Sequence, residues 1–167
     1  MNYLTLATPL DTYRMVPTYH PDSKLWFYGN VRLLRGNLAT VPRANCRYDL
    51  EREAEKLVLD GFTLVTGIHN DLERLKAIVP LRWGAPRVLV LSGGIRFHLG
   101  PGLSEEPFRA AKLWRYQWDP KVDLAISRRA PDRLPTFATH NPTIDRLISE
   151  IACKLKAGLY PSPTEHL

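Results

Sequence analysis

RVLVLSGGIRFHLGPG, residues 87–102, decides the fold class of this chain. An apolar run opens at Arg87 and continues to Leu91, β-branched at Val88 and Val90, with Pro86 before it. That is the form of a strand buried on both faces, as in a parallel sheet. It ends in Ser92-Gly93-Gly94. Glycines directly after a buried strand let the backbone take positive φ and approach a ligand closely. In open α/β sheets ligands settle at the carboxyl ends of the strands, where such turns lie. Alone, the same residues also fit a plain tight turn, so the neighbouring segments must decide.

Upstream, Asn37–Val41 (NLATV) reads as a first core strand, followed by a loop over 42–46 and a helix from about Tyr48 to Asp60. Leu50, Ala54, Leu57 and Val58 form its buried stripe and Gly61 stops it. Phe62–Thr66 (FTLVT) is the second strand, and Asn70 or Asp71 caps a helix facing Leu72, Leu75, Ile78 and Val79 inward, with Pro80 ending it. Downstream, Ser104-Glu105-Glu106-Pro107 has the form of a helix start reaching about Arg115. Val122–Ile126 (VDLAI) is a fourth strand, and a basic, proline-rich loop spans Ser127–His140. Asn141-Pro142 opens a last helix, with stripe Ile144, Leu147, Ile148, Ile151 and Leu155 and a stop at Gly158. Strand and helix alternate four times. This predicts an α/β, three-layer Rossmann-like fold, with a mainly parallel sheet flanked by helices and joined by right-handed crossovers.

The 167 residues suffice for one core, placed at 37–160. Residues 1–36 read as an irregular aromatic-rich segment packed on that domain, since large aromatic surface gains most from burial, and 161–167 read as a tail. A net charge of +6 and a pI near 9.5 suit an anionic partner such as nucleic acid or a nucleotide. The two cysteines, Cys46 and Cys153, indicate neither a disulfide framework nor a zinc site, so a reducing cytoplasm is the expected compartment. No apolar run approaches the roughly 18 residues of a membrane span, and the first residues lack the pattern of a signal peptide.

With this topology four loops converge on one edge of the sheet. They carry the candidate phosphate- or nucleic-acid-binding residues Arg43, Thr66, Gly67, His69, Asn70, Ser92, Gly93, Gly94, Arg96, Arg128, Arg129, Asn141 and Arg146, with His98, Arg133 and His140 alongside. Amides at glycine turns and helix starts bind phosphate, and arginines add bidentate contacts. A short basic run also fits a merely solvated loop. His69, His98 and His140 lack helical ligand spacing and no loop concentrates carboxylates, so no metal or other cofactor is expected. Cys46 sits near a helix start, where a thiol can become reactive, or is inert. The Gly-x-Ser-x-Gly elbow, the Walker loop and His-Glu-x-x-His are absent, and the first strand ends in Pro42-Arg43 rather than in the glycines of a dinucleotide fingerprint.

The order of short motifs over about residues 19–150 resembles that of the DNA-processing protein A family (DprA, also called Smf). Tyr28-Gly29-Asn30 with Leu33-Leu34 is similar to the family's Gly-Asn-x-x-Leu-Leu lead-in. Leu64-Val65-Thr66-Gly67-Ile68 resembles Val-Val-Ser-Gly-Leu, with Asp71 near the family's Gly-Ile-Asp, and Val88–Ile95 resembles Ala-Val-Leu-Gly-x-Gly-Leu. Ala125-Ile126-Ser127, Pro135 to Phe137, Asn141 and Arg146 are similar to the Ile-Ser-Glu, Phe-Pro and Arg-Asn-Arg-Ile-Ile run. The chain departs from the family at Pro42-Arg43-Ala44 (Gly-Ser-Arg), Arg128 (the Glu of Ile-Ser-Glu), His140 and Pro142. It also ends soon after the sheet, so a winged-helix tail is not expected. The resemblance implies single-stranded DNA binding, oligomerisation and handover of DNA to a recombinase, without catalysis. Such binding needs a basic groove and aromatic platforms, for which Phe97, Trp114, Tyr116, Trp118 and Phe137 are the candidates.

Two other functions fit the same loops. A nucleotide or nucleotide-derivative sensor suits the small size and the lost Gly-Ser-Arg. A nucleoside-monophosphate phosphoribohydrolase of the lysine-decarboxylase-like group would carry Pro-Gly-Gly-x-Gly-Thr-x-x-Glu, of which only Ser92-Gly93-Gly94 remains, with no glutamate in register.

Overall fold

Val88 and Val90 point to one side of the fully buried third parallel strand and Leu89 and Leu91 to the other, and each pair enters a separate apolar cluster. That two-sided burial makes the molecule three-layered. The structure, a computed structural model, describes residues 13–41, 46–107, 117–135 and 141–160. In chain order the elements are β1 (Arg14–His20), β2 (Leu25–Gly29), a 3-10 turn (Val31–Arg35), β3 (Leu38–Ala39), α1 (Arg47–Leu59), β4 (Thr63–Gly67), α2 (Asp71–Arg82), β5 (Arg87–Leu91), α3 (Ile95–Leu99), β6 (Leu124–Ser127) and α4 (Asn141–Ala152).

The six strands form one sheet in the order β1-β2-β6-β5-β4-β3. β3 to β6 are mutually parallel, and β2 joins β6 antiparallel. Each parallel strand is laid beside its predecessor, so the connections always step the same way. Right-handed crossovers taken in one direction keep successive helices on one face. Accordingly α1 and α2 enclose Leu64 with Leu50, Ala54, Val58, Leu75 and Val79, and α3 packs Ile95 and Leu99 on Leu89, Leu91 and Ala125. After β6 the chain changes face. α4 lays Ile144, Leu147, Ile148 and Ile151 on Val65, Val88, Val90, Leu124 and Ile126, together with Leu25 and Phe27 of the hairpin and Leu34 of the 3-10 turn. Each such side chain contributes about 1.5–3 kcal/mol by leaving water.

Several expectations are corrected. Residues 14–29 are not irregular: they form an antiparallel hairpin that extends the sheet. Gly29 ends β2 with φ +118, and a Cβ there would lie 2.2 Å from the Asp123 carbonyl oxygen, so the join between hairpin and parallel sheet needs glycine. Pro80 does not end α2, which runs on to Arg82. α4 stops at Ala152, short of Gly158, and Leu155 is exposed. A short helix, Ile95–Leu99, follows β5 directly, and the expected helix start at 104–107 is not helical. Glu105 instead bridges to Gln117, and Glu106 turns inward; 108–116 lie outside the described residues.

Arg87, at the head of the apolar run, is fully buried. Its Nη2 donates to Glu106 Oε1 and to Asp123 Oδ2, both at 2.7 Å, and its backbone amide donates to Asp123 Oδ1 at 2.9 Å. These charge-assisted bonds fasten 104–107 and the entry to β6 onto the amino end of β5, opposite the edge where the loops gather.

Candidate nucleic-acid interface

The carboxyl edge of the parallel strands divides into an open half and a sealed half. The open half lies beyond β3 and β4. A cleft of about 520 Å³ is bounded there by the starts of α1 and α2 and by the side of α4, with Arg47, Asn70, Glu73, Lys76, Asp145 and Ser149 among its lining. Asn70 caps α2 by accepting from the Glu73 amide at 2.9 Å. Glu73 is itself buried, pairs with Lys76, and accepts from the Gly67 amide at 3.0 Å. His69 turns beneath this edge, its side chain 2% exposed, and its Nε2 donates to Asp145 Oδ1 at 2.9 Å. Thr66 is fully buried on β4, and its hydroxyl finds no hydrogen-bond partner among the described residues.

The sealed half lies beyond β5 and β6. The Gly93 amide donates to His98 Nε2 at 3.0 Å, and the Gly93 carbonyl accepts from Ser127 Oγ at 2.7 Å. The Gly94 amide donates to the Arg133 carbonyl at 2.8 Å, and the Phe97 amide to the Pro131 carbonyl at 3.0 Å. Residues 130–133 therefore lie directly on the glycine turn. A Cβ at Gly94 would sit 2.2 Å from the Pro131 oxygen and 2.3 Å from the Ala130 oxygen, so the close approach needing glycine is to this chain's own loop. Burial, and secondarily Arg74, pushes the His98 imidazole down to about 4.

Those predicted residues that lie among the described ones are brought to one edge, but not all of them are open to a ligand there. The amides of Gly67, Gly93 and Gly94 are taken by protein acceptors, and the turns form no open phosphate cradle. Thr66 and His69 lie beneath the surface, and Ser92 is half-buried. The arginine side chains do reach the edge. Arg96 is 39% exposed and pairs with Asp132 at 2.9 Å. Arg128 donates to the Thr143 carbonyl at 3.0 Å, and Arg129 extends from the same loop, its amide on Ser127 Oγ. Burial pulls the Arg128 guanidinium below the ordinary arginine range; Glu150 counters this, and Arg146 on α4 adds like charge. Arg133 and Arg146 are exposed. Asn141 is the first residue of α4, while Arg43 and His140 lie outside the described residues. Of the aromatic candidates, Trp118 is buried and stacked on Tyr28, Phe97 is exposed, and Trp114, Tyr116 and Phe137 are outside the described residues.

Sequence reasoning missed Glu73, Lys76, Arg47, Asp132 and Asp145. Only Glu73 carried a local signal: Asn70-x-x-Glu73 has capping-box spacing, although its carboxylate bonds the strand end instead of the cap. Among the described residues no three His, Cys, Asp or Glu side chains gather to hold a metal ion. No described helix is long and apolar enough to cross a membrane.

A mainly parallel sheet between α1–α3 and α4, extended by an antiparallel hairpin, defines a three-layer Rossmann-like fold, and solved DNA processing protein A structures share it. One is DprA from Streptococcus pneumoniae, at TM-score 0.55 and 15% identity, over 90% of this chain and 56% of that one. Another is DprA from Helicobacter pylori, in a structure concerned with its single-stranded DNA binding mode, at TM-score 0.54 and 14% identity, over 76% of this chain and 56% of that one. At such identities the likeness shows the fold. The match spans little more than half the length of either neighbour. No family model and no curated protein matches the chain.

Proposed function

We propose that the carboxyl edge binds single-stranded DNA, its arginine side chains holding the phosphates in a binding rather than a catalytic role. The observation that carries this reading is the convergence of Arg47, Arg96, Arg128, Arg129, Arg133 and Arg146 from four separate parts of the chain onto one side of the sheet. Guanidinium forks match phosphate oxygens and stay charged at any working pH. The single-stranded DNA binding described for the Helicobacter pylori neighbour supports the same reading.

A second reading has its own support. The cleft beside Arg47 and Lys76 has the size of a small-molecule site, on the scale of a mononucleotide. Fluorescence anisotropy with labelled oligo-dT of increasing length, at two salt concentrations, separates the two. DNA binding predicts affinity that grows with length, and a log–log salt slope that flattens by about 0.7 for each phosphate contact removed by Arg96→Ala or Arg146→Ala. Length-independent binding that a mononucleotide competes away would favour the cleft. Absence of binding at low salt would contradict the DNA reading.

A further inference from the structure

Tyr19 and Trp26 stand in register across the β1–β2 pair, with ring centroids 5.3 Å apart and planes tilted by 52°. Because β2 runs antiparallel to β6, Trp26 is also in register with Ser127, the last residue of β6. The aromatic pair is therefore at the carboxyl edge, in register with the residue that precedes Arg128; Trp26 packs on the α3 side of the sheet, whereas the Arg128 side chain reaches Thr143 on the α4 side. Alternation along β2 places Trp26 on the same face as Tyr28. Tyr28 is buried against Trp118, whereas Tyr19, on the outermost strand, is 44% exposed and Trp26 is half-buried. An exposed aromatic ring at the same edge as the segment carrying Arg128, Arg129 and Arg133 offers the two chemistries that single-stranded nucleic acid requires: a π face for a base and cations for its phosphates.

We infer that Tyr19 and Trp26 form a stacking platform for a base of the single strand whose phosphates lie on the arginine segment after β6. This rests on the DNA reading above and deepens it by naming where a base is held. From β1 to the start of that segment is two strand spacings, roughly 10 Å, short enough for one strand to reach both. Stacking of this kind tolerates any sequence, because every base offers a π face.

The test compares oligo-dT with an abasic oligomer of equal length, binding to the wild-type chain and to Tyr19→Ala, Tyr19→Leu and Tyr19→Phe. Tyr19→Ala and Tyr19→Leu are expected to lose roughly 5- to 100-fold in affinity for oligo-dT, and Tyr19→Phe to keep it. On the abasic strand all four proteins should bind alike. Wild-type affinity of Tyr19→Ala and Tyr19→Leu for oligo-dT would overturn the platform and leave the DNA reading standing. Equal losses on both oligomers, or a change of oligomeric state in place of a change in affinity, would also overturn it. If the wild-type chain binds neither oligomer, the DNA reading falls and the platform with it.

Discussion

His98 accepts the Gly93 amide through Nε2, which requires a neutral ring at the point where β5 turns into α3. Its folded value near 4 against an ordinary 6.5 means that between these limits the unfolded chain takes up a proton that the folded chain does not. Stability should therefore be whole above about pH 6.5 and fall as pH drops towards 4, by up to about 3 kcal/mol. Thermal melts from pH 7.5 to 4.5 check this, and His98→Gln should flatten the curve over that window. Arg87 makes the other decisive residue-scale prediction. Arg87→Met removes the partner of two buried carboxylates, Glu106 and Asp123, and should cost about 3–5 kcal/mol in urea denaturation. That role was not legible in the sequence, where Arg87 merely heads an apolar run. A buried arginine is recognised by its carboxylates, and these are 19 and 36 residues away. The same pairing explains the misread helix start: Ser104-Glu105-Glu106 has the local chemistry of a cap, but Glu106 is drawn inward by the guanidinium.

Among the elements, those read correctly are the ones whose signal is their own periodicity. β5, α1 and the stripe Ile144, Leu147, Ile148 and Ile151 of α4 needed nothing from elsewhere in the chain. The β1–β2 hairpin was missed because β1 is an edge strand. Pro17 is tolerated there, the register shifts between Arg14 and Thr18, and the alternation of buried and exposed residues is blurred. The glycine turn was located correctly, but nothing local reports that 130–133 will close over it. Gly94→Ala tests that closure. With a Cβ against two carbonyl oxygens the loop must lift, and we expect a loss of about 1–3 kcal/mol, with faster hydrogen exchange at the Gly94 and Phe97 amides. Unchanged stability and exchange would mean that the loop does not seat on the turn.

For the whole molecule, topology explains why Arg47, Arg96, Arg128, Arg129, Arg133 and Arg146 meet at one edge although they are far apart in the chain. Every parallel strand runs the same way, so each loop that follows a strand emerges on the same side, and the tip of the antiparallel hairpin joins them there. The four-fold strand–helix alternation made this convergence legible from the sequence, whereas the division into an open cleft and a sealed turn depended on contacts between distant loops. The most direct test of the central claim is hydrogen–deuterium exchange followed by mass spectrometry, with and without saturating oligo-dT at low salt. Protection confined to the end of β1 and the start of β2, the start of α1, residues 92–99, residues 127–135 and the first turns of α4 is the predicted result. Protection at the amino edge of the parallel strands, around residues 82–87, or none anywhere despite saturation, would contradict it.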